Sequence, residues 1–435
     1  MITPIKKYIL VVGLGKSGTS AAKFFKKQGH QVIVTDINPA KREAAKELED
    51  TGIQTEIGFH KISTFENADM IVVSPGIPLD GEHFERAIKK GVIIRGEMDI
   101  ASEHIKKPLI AITGTNGKTT VTTLISQMLS SSGLKVFTGG NIGTPLIEYL
   151  NHTDTSKESH RLYDVVVAEV SSFQLDTAQN FAPDVAVLLN ITEDHLNRYP
   201  DFKAYEDSKW SIFSGQNEKA HAIINSRIDL AESRIANIKS QVTLFNTDHN
   251  MFAAQKRISR LRGKHNQENI EASILAALSA GASMDGIESA LKTFNGLPHR
   301  IEYVATINGV EFYNDSKGTN TDAVARAIES FDQNTILIMG GQDKNMDFSV
   351  LKKWIRGRVK KVVLMGEAKE KINTAISECC DTIYSEDMEQ AVNTAFNNAK
   401  PGDTILLSPG CASFDRYGSY TERGDDFIRQ VKRLN

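Results

Sequence analysis

The segment 109–120, Leu-Ile-Ala-Ile-Thr-Gly-Thr-Asn-Gly-Lys-Thr-Thr, constrains this chain more than any other. Its first five residues are apolar or β-branched and the residues after it keep helical spacing, so it predicts a strand, a tight loop and a helix. A strand that feeds a helix in this way belongs to a parallel-sheet α/β fold. The loop has the chemistry of a phosphate cradle. Gly114 and Gly117 let backbone N–H groups face phosphate oxygens, Lys118 can reach the terminal phosphates, and the Thr119 hydroxyl suits a bound Mg2+. Thr115, Asn116 and Thr120 complete the candidate nucleotide loop. Ile112 stands where the general pattern has glycine, so the loop is a variant. A glycine-rich turn without a ligand is the alternative, and the Lys118–Thr119 pair argues against it.

At 435 residues the chain exceeds one ordinary core and predicts two or three domains. Its 51 basic and 54 acidic residues leave a net charge of −3, which offers no basic field for nucleic acid or an anionic membrane. Three cysteines, two of them adjacent at Cys379 and Cys380, make neither a disulfide framework nor a zinc-site spacing. No apolar run approaches the length of a membrane-spanning helix. The expectation is a soluble, unprocessed, cytoplasmic protein.

Three α/β units follow one another. The first alternates strand-like runs at 8–12, 31–35, 70–74 and 92–94 with helical stretches. Its loop 13–18, Gly-Leu-Gly-Lys-Ser-Gly, follows a strand, opens a helix and is succeeded by Asp36, which fits a dinucleotide fingerprint. The same geometry serves any pyrophosphate held on a helix N-terminus. No residue set for hydride transfer follows Asp36, which favours a nucleotide-containing ligand over a nicotinamide cofactor. The second unit has strands at 109–113, 135–138, 164–170, 184–191 and 221–225 and ends in helices over 265–280 and up to Phe294. A break at 295–298, Asn-Gly-Leu-Pro, then supplies a linker. The third opens with a hairpin, 300–306 and 310–314 about Asn308-Gly309, and continues with strands at 335–339, 361–365 and 404–408. The expected domains are 1–97, 98–297 and 298–435: Rossmann-like, central P-loop ATPase-type and Rossmann-like.

Glu169 closes an apolar run at the sheet edge where such folds bind ligands, which makes it a candidate Mg2+ ligand; a carboxylate capping the following turn is the alternative. The loop 192–199 gathers two carboxylates, His195 and Arg198 at the same edge. Lys209 lies in a helix of surface composition and reads as a solvated lysine. His299-Arg300 and 314–320 (Asn-Asp-Ser-Lys-Gly-Thr-Asn) are polar and hinge-adjacent, and are open to reading either as turn and N-cap chemistry or as cations placed for a nucleotide.

Taken together, 114–120, 169–174, 190–199, 265–266, 296–300 and 315–320 resemble the Mur ligases in order and spacing along nearly the whole chain. The loop 13–18, residues 74–77 and 141–143, and the tail 407–413 with 420–424 resemble the D-glutamate-adding branch. The Asp-Asn-Pro-Arg motif of the diaminopimelate- or lysine-adding branch is absent. Folylpolyglutamate synthetase shares the P-loop variant but needs no UDP-binding first domain.

The resemblance implies an ATP-dependent amide ligase acting in peptidoglycan precursor synthesis on UDP-N-acetylmuramoyl-L-alanine and D-glutamate through an acyl phosphate, with two Mg2+ ions, as a monomer. It implies that Lys118 stabilises the transferring phosphoryl group, that Thr119 and Glu169 hold one Mg2+, and that His195 and a carbamylated Lys209 serve the other. Asn269, His299, Arg300, Asp315 and Lys317 would join the loop in binding ATP. Gly15, Lys16, Ser17, Asp36, Ser74, Gly76, Asn141 and His195 would face the UDP-sugar substrate; Thr319, Lys344, Ser413 and Tyr420 would grip D-glutamate. Lys16-Ser17 and Ile37-Asn38 stand at variable positions of the uridine pocket, and Tyr420 stands where the family places an aromatic ring.

Overall fold

The computed structural model describes residues 7–153, 162–192, 198–228, 231–247, 251–261, 263–331, 334–343 and 346–434. His195 and Lys344 lie outside them. The first sheet contains β1 (Ile9–Val12), β2 (Val32–Asp36), β3 (Gln54–Ile57), β4 (Met70–Val73) and β5 (Ile93–Gly96), all parallel, in the order β3-β2-β1-β4-β5. The two central strands β1 and β4 are wholly buried, as their unbroken apolar sequences require when helices cover both faces.

The second sheet contains β6 (Leu109–Thr113), β7 (Val136–Gly140), β8 (Val165–Glu169), β9 (Val185–Leu188), β10 (His221–Asn225) and β11 (Gln241–Phe245), again all parallel, in the order β11-β10-β9-β6-β8-β7. The chain order reverses around β6. The loops leaving the carboxyl ends of β6, β8 and β9 are therefore neighbours, which is where open α/β sheets bind ligands.

The third sheet contains β12 (Glu302–Ile307), β13 (Val310–Asn314), β14 (Thr335–Gly340), β15 (Val359–Met365), β16 (Asp381–Tyr384) and β17 (Thr404–Leu407), in the order β12-β13-β17-β14-β15-β16. Only β12 runs antiparallel to its neighbour. Asn308 and Gly309 both have positive φ, 50° and 77°, the conformation a two-residue hairpin turn demands. The hairpin starts at Glu302 rather than at 300, because His299 (φ 62°) and Ile301 (φ 45°) hold the preceding backbone in a left-handed turn.

The chain forms two compact units: the residues up to Ala254 with Glu268–Ala290, and Gln255–Gln267 with Leu291–Asn435. The first unit holds the first two sheets over one continuous apolar cluster that runs from Ile9 to Ile228. The helix Glu97–His104 links them. Arg95 Nη2 lies 2.6 Å from Asp99 Oδ2, the Asn180 N–H donates to Asp99 Oδ1 at 2.9 Å, and Glu97 Oε2 accepts the Ile147 N–H at 3.0 Å. Burial pushes the Glu97 carboxyl up to about 7. No described helix is long and apolar enough to cross a membrane.

Candidate active site

β6 is buried along its length and delivers the loop to the N-terminus of the helix Lys118–Ser131. Gly117 caps that helix at φ 86°, and a Cβ there would approach Asn269 Oδ1 to 2.6 Å, so glycine is required both by conformation and by space. Asn269 is thereby placed against the loop. The Thr115 N–H donates to Asn190 O and the Asn116 N–H to Asn190 Oδ1, both at 2.9 Å, which ties the loop to the end of β9. The Thr115 hydroxyl also meets Tyr205 at 3.1 Å.

Two ammonium groups converge on one carbonyl. Lys118 Nζ donates to Gly114 O at 2.8 Å and to Thr115 O at 3.0 Å, and Lys209 Nζ donates to Gly114 O at 2.9 Å. The reading of Lys209 as a solvated lysine is corrected by the structure. The helix Phe202–Trp210 buries Tyr205, Glu206, Ser208, Lys209 and Trp210, and Lys209 is only 2% exposed, its Nζ lying 4.7 Å from the centroid of the Tyr205 ring. Composition hid this because a long aliphatic stem can bury beside an aromatic ring while its head finds a polar partner.

Glu169 ends β8 at 2% exposure. The Thr119 hydroxyl donates to its Oε2 at 2.9 Å and Asn141 Nδ2 to its Oε1 at 3.0 Å. Among the described residues no group of three or more histidine, cysteine or acidic side chains is placed to hold a metal ion. A hydroxyl and one carboxylate beside a phosphate loop nevertheless suit Mg2+, which keeps several waters and takes few protein oxygens.

The glycine loop of the first sheet is organised by Asp36, whose Oδ2 accepts the Leu14 N–H at 2.7 Å and whose Oδ1 accepts the Asn38 N–H at 2.8 Å. Ser74 Oγ donates to Gly13 O at 3.0 Å, and Arg198 Nη1 donates to Gly76 O at 2.6 Å. Gly15 and Lys16 line a cavity of about 480 Å³ together with Leu14, Thr19, Gly143 and Pro145. Ser17 lies on the inner side of the same turn, beside the Glu97 carboxyl.

In the second unit, Asp315, Lys317 and Thr319 follow β13, and Ser413 follows β17. Asp315 is buried, and burial raises its carboxyl to about 7 despite the donated Ser408 hydroxyl at 2.7 Å. His299 O accepts the Lys317 N–H at 3.0 Å, and Asn314 Nδ2 lies 3.0 Å from His299 Nδ1. Lys317 Nζ sits 5.5 Å from the centroid of the Tyr420 ring, while Arg300 is exposed. His299, Arg300, Asp315, Lys317, Ser413 and Tyr420 therefore share one unit, and Lys118, Glu169, Lys209 and Asn269 share the other.

Sequence reasoning missed three side chains that organise these edges: Tyr205, Glu97 and Arg423. Arg423 left a signal. It stands four residues before Phe427 and eight before Val431, on the buried stripe of the helix Tyr420–Lys432.

Family models match along the chain: "Mur ligase MurD-like, N-terminal domain" over 7–96, "Mur ligase middle domain" over 112–275, and "Mur ligase, glutamate ligase domain" over 299–411. The chain belongs to the Mur ligase family. It is 45% identical over 448 residues to the UDP-N-acetylmuramoylalanine–D-glutamate ligase of Desulfosudis oleivorans, covering 98% of this chain and 96% of that one. The proteins of the same name from Desulfatibacillum aliphaticivorans (42%) and Bdellovibrio bacteriovorus (39%) match over 98% and 99% of this chain and 98% of theirs. Among solved structures, a UDP-N-acetylmuramoyl-L-alanyl-D-glutamate–2,6-diaminopimelate ligase shares the fold with a TM-score of 0.59 at 16% identity, over 86% of this chain and 94% of its own. The Thermotoga maritima UDP-N-acetylmuramate–alanine ligase does so with a TM-score of 0.53 at 17% identity, over 99% and 100%.

Proposed function

We propose that this chain joins D-glutamate to UDP-N-acetylmuramoyl-L-alanine at the cost of ATP. The observation that carries the proposal is the constellation at the β6–β8 edge: Lys118 on the loop, with Thr119 and Asn141 both donating to Glu169. The near-full-length likeness to proteins named for this reaction supports it.

A carboxylate is a poor electrophile, and phosphorylation gives it a leaving group. In this reading an oxygen of the L-alanine carboxylate attacks the γ-phosphorus, ADP leaves, and the D-glutamate amine displaces phosphate from the acyl phosphate to form the amide. Lys118 offsets charge gathering on the transferring group. Thr119 and Glu169 would hold one Mg2+, and His195 with a carbamylated Lys209 a second; bound there, Mg2+ neutralises phosphate charge. As an unmodified ammonium, Lys209 donates to Gly114 O; carbamylation would turn that cation into an anion that keeps one N–H. The remaining loop residues, with Asn269, His299, Arg300, Asp315 and Lys317, contact ATP. Gly15, Lys16, Ser17, Asp36, Ser74, Gly76, Asn141 and His195 hold the UDP-sugar substrate, and Thr319, Lys344, Ser413 and Tyr420 hold D-glutamate. The domains 1–97, 98–297 and 298–435 take the UDP-sugar, ATP and the amino acid in that order. In this reading the enzyme works as a cytoplasmic monomer.

The test is phosphate release from ATP and Mg2+ with UDP-N-acetylmuramoyl-L-alanine, comparing D-glutamate with L-glutamate, L-alanine and meso-diaminopimelate. Release with D-glutamate alone is expected. Release with another amino acid moves the branch, and release with none refutes the ligase reading.

A further inference from the structure

Arg423 is 2% exposed, yet among the described residues its hydrogen-bond partners are one hydroxyl and three carbonyls, with no carboxylate. Its Nε donates to Ser316 Oγ at 3.0 Å and its Nη2 to Ser316 O at 2.9 Å. The same guanidinium reaches the other side, donating to Cys411 O at 3.1 Å and to Ala412 O at 3.2 Å. Ser316 Oγ in turn donates to Tyr420 O at 2.8 Å. A planar fork holds its five donors in a fixed geometry, whereas an ammonium is a compact head on a flexible stem.

The segments tied together are those the preceding reading uses. Ser316 stands between Asp315 and Lys317, Ala412 precedes Ser413, and Tyr420 opens the helix that carries Arg423. The next residue fixes the fit further, because a Cβ at Gly424 would strike His299 Nδ1. Burying a cation without a paired carboxylate is costly unless its donors are satisfied, and here hydrogen bonds engage four of the five N–H groups. Burial lowers the guanidinium to about 10, so it stays charged at neutral pH.

We propose that Arg423 is a positioning residue that locks the nucleotide-facing turn 315–317 to the amino-acid-facing segments at Ser413 and Tyr420, so that acceptor amine and acyl phosphate are presented in register. The inference rests on the proposed reaction, and the wild-type assay tests that reaction separately; if the wild type uses a different amino acid, that amino acid replaces D-glutamate below.

The experiment measures Tm and the KM of each substrate for the full-length Arg423→Ala and Arg423→Lys variants. KM for D-glutamate is expected to rise on the order of 10- to 100-fold in both, the scale of a small misplacement of reacting groups. KM for UDP-N-acetylmuramoyl-L-alanine is expected to stay unchanged. Guanidinium ion added at concentrations below those that denature should restore the D-glutamate KM of Arg423→Ala but not of Arg423→Lys, whose ammonium fills the space. A folded Arg423→Ala enzyme with an unchanged D-glutamate KM, even with a lowered Tm, overturns the proposal. If neither variant folds, Ser316→Ala decides, since it deletes only the hydroxyl between Arg423 and Tyr420: a raised D-glutamate KM upholds the proposal and an unchanged one overturns it.

Discussion

The β6–β8 edge of the second sheet and the β13–β17 edge of the third each bury a cation and a carboxylate, and they use them differently. At the first, Lys118 and Lys209 share the Gly114 carbonyl, and Glu169 holds two neutral donors. At the second, Arg423 joins two separate chain segments and Asp315 is buried against Ser408. An ammonium on a flexible stem exchanges one oxygen for another with little rearrangement, whereas a guanidinium fork with four acceptors fixes what it touches. In the proposed reaction the first edge would serve the chemistry and the second the alignment.

The sharpest way to break that contrast is Lys118→Ala. Phosphate release should fall on the order of 1000-fold, the scale of losing a preorganised charge at the transferring group, while Tm shifts by only a few degrees. A collapse of Tm, with activity retained in the folded fraction, would make Lys118 a structural tie and not a catalytic group.

Next in size is Gly117→Ala. The added methyl both strains a residue at φ 86° and presses on Asn269, so a stability loss of about 1–3 kcal/mol and weaker ATP binding are expected together. Calorimetry showing full ATP affinity would remove Asn269 from the nucleotide site.

The smallest effect concerns Glu97. Its carboxyl is raised to about 7, so the folded chain holds a proton that the unfolded chain releases near the ordinary carboxylate range. That contribution is fully present below the unfolded value and is lost as pH rises toward 7. Asp315, also raised to about 7, adds a term of the same sign. Tm measured between about pH 5 and pH 8 should therefore fall less steeply in Glu97→Gln than in the wild type, with the Asp315 share remaining. Identical slopes would show that Glu97 ionises freely in the folded protein.

Legibility followed burial. The central strands β1, β4, β6, β8 and β9 are apolar but for Thr113 and Glu169 at the ends of β6 and β8, and could be read directly, β6 to the residue. The strands absent from the sequence reading, β3, β11 and β16, are each the outermost strand of a sheet. Their sequences, Gln-Thr-Glu-Ile, Gln-Val-Thr-Leu-Phe and Asp-Thr-Ile-Tyr, are half exposed and mixed, as edge strands are, and carry no apolar run to find. The loop 114–120 and Glu169 were visible because glycine, lysine and acid at a strand end are locally unusual. Lys209, Glu97 and Arg423 were not, because a charge becomes informative only when tertiary packing encloses it, and enclosure has no local spelling.

The shared Gly114 carbonyl has a consequence for selectivity. A lone inorganic anion entering the loop must displace an internal acceptor already engaged by both lysines, and it gains only one contact patch in return. A polyphosphate tail engages the cations and the loop N–H groups in one event, so its components reinforce each other as a chelate does. The loop should therefore discriminate steeply between a triphosphate and free orthophosphate, and the orthophosphate formed by each turnover should be a weak inhibitor.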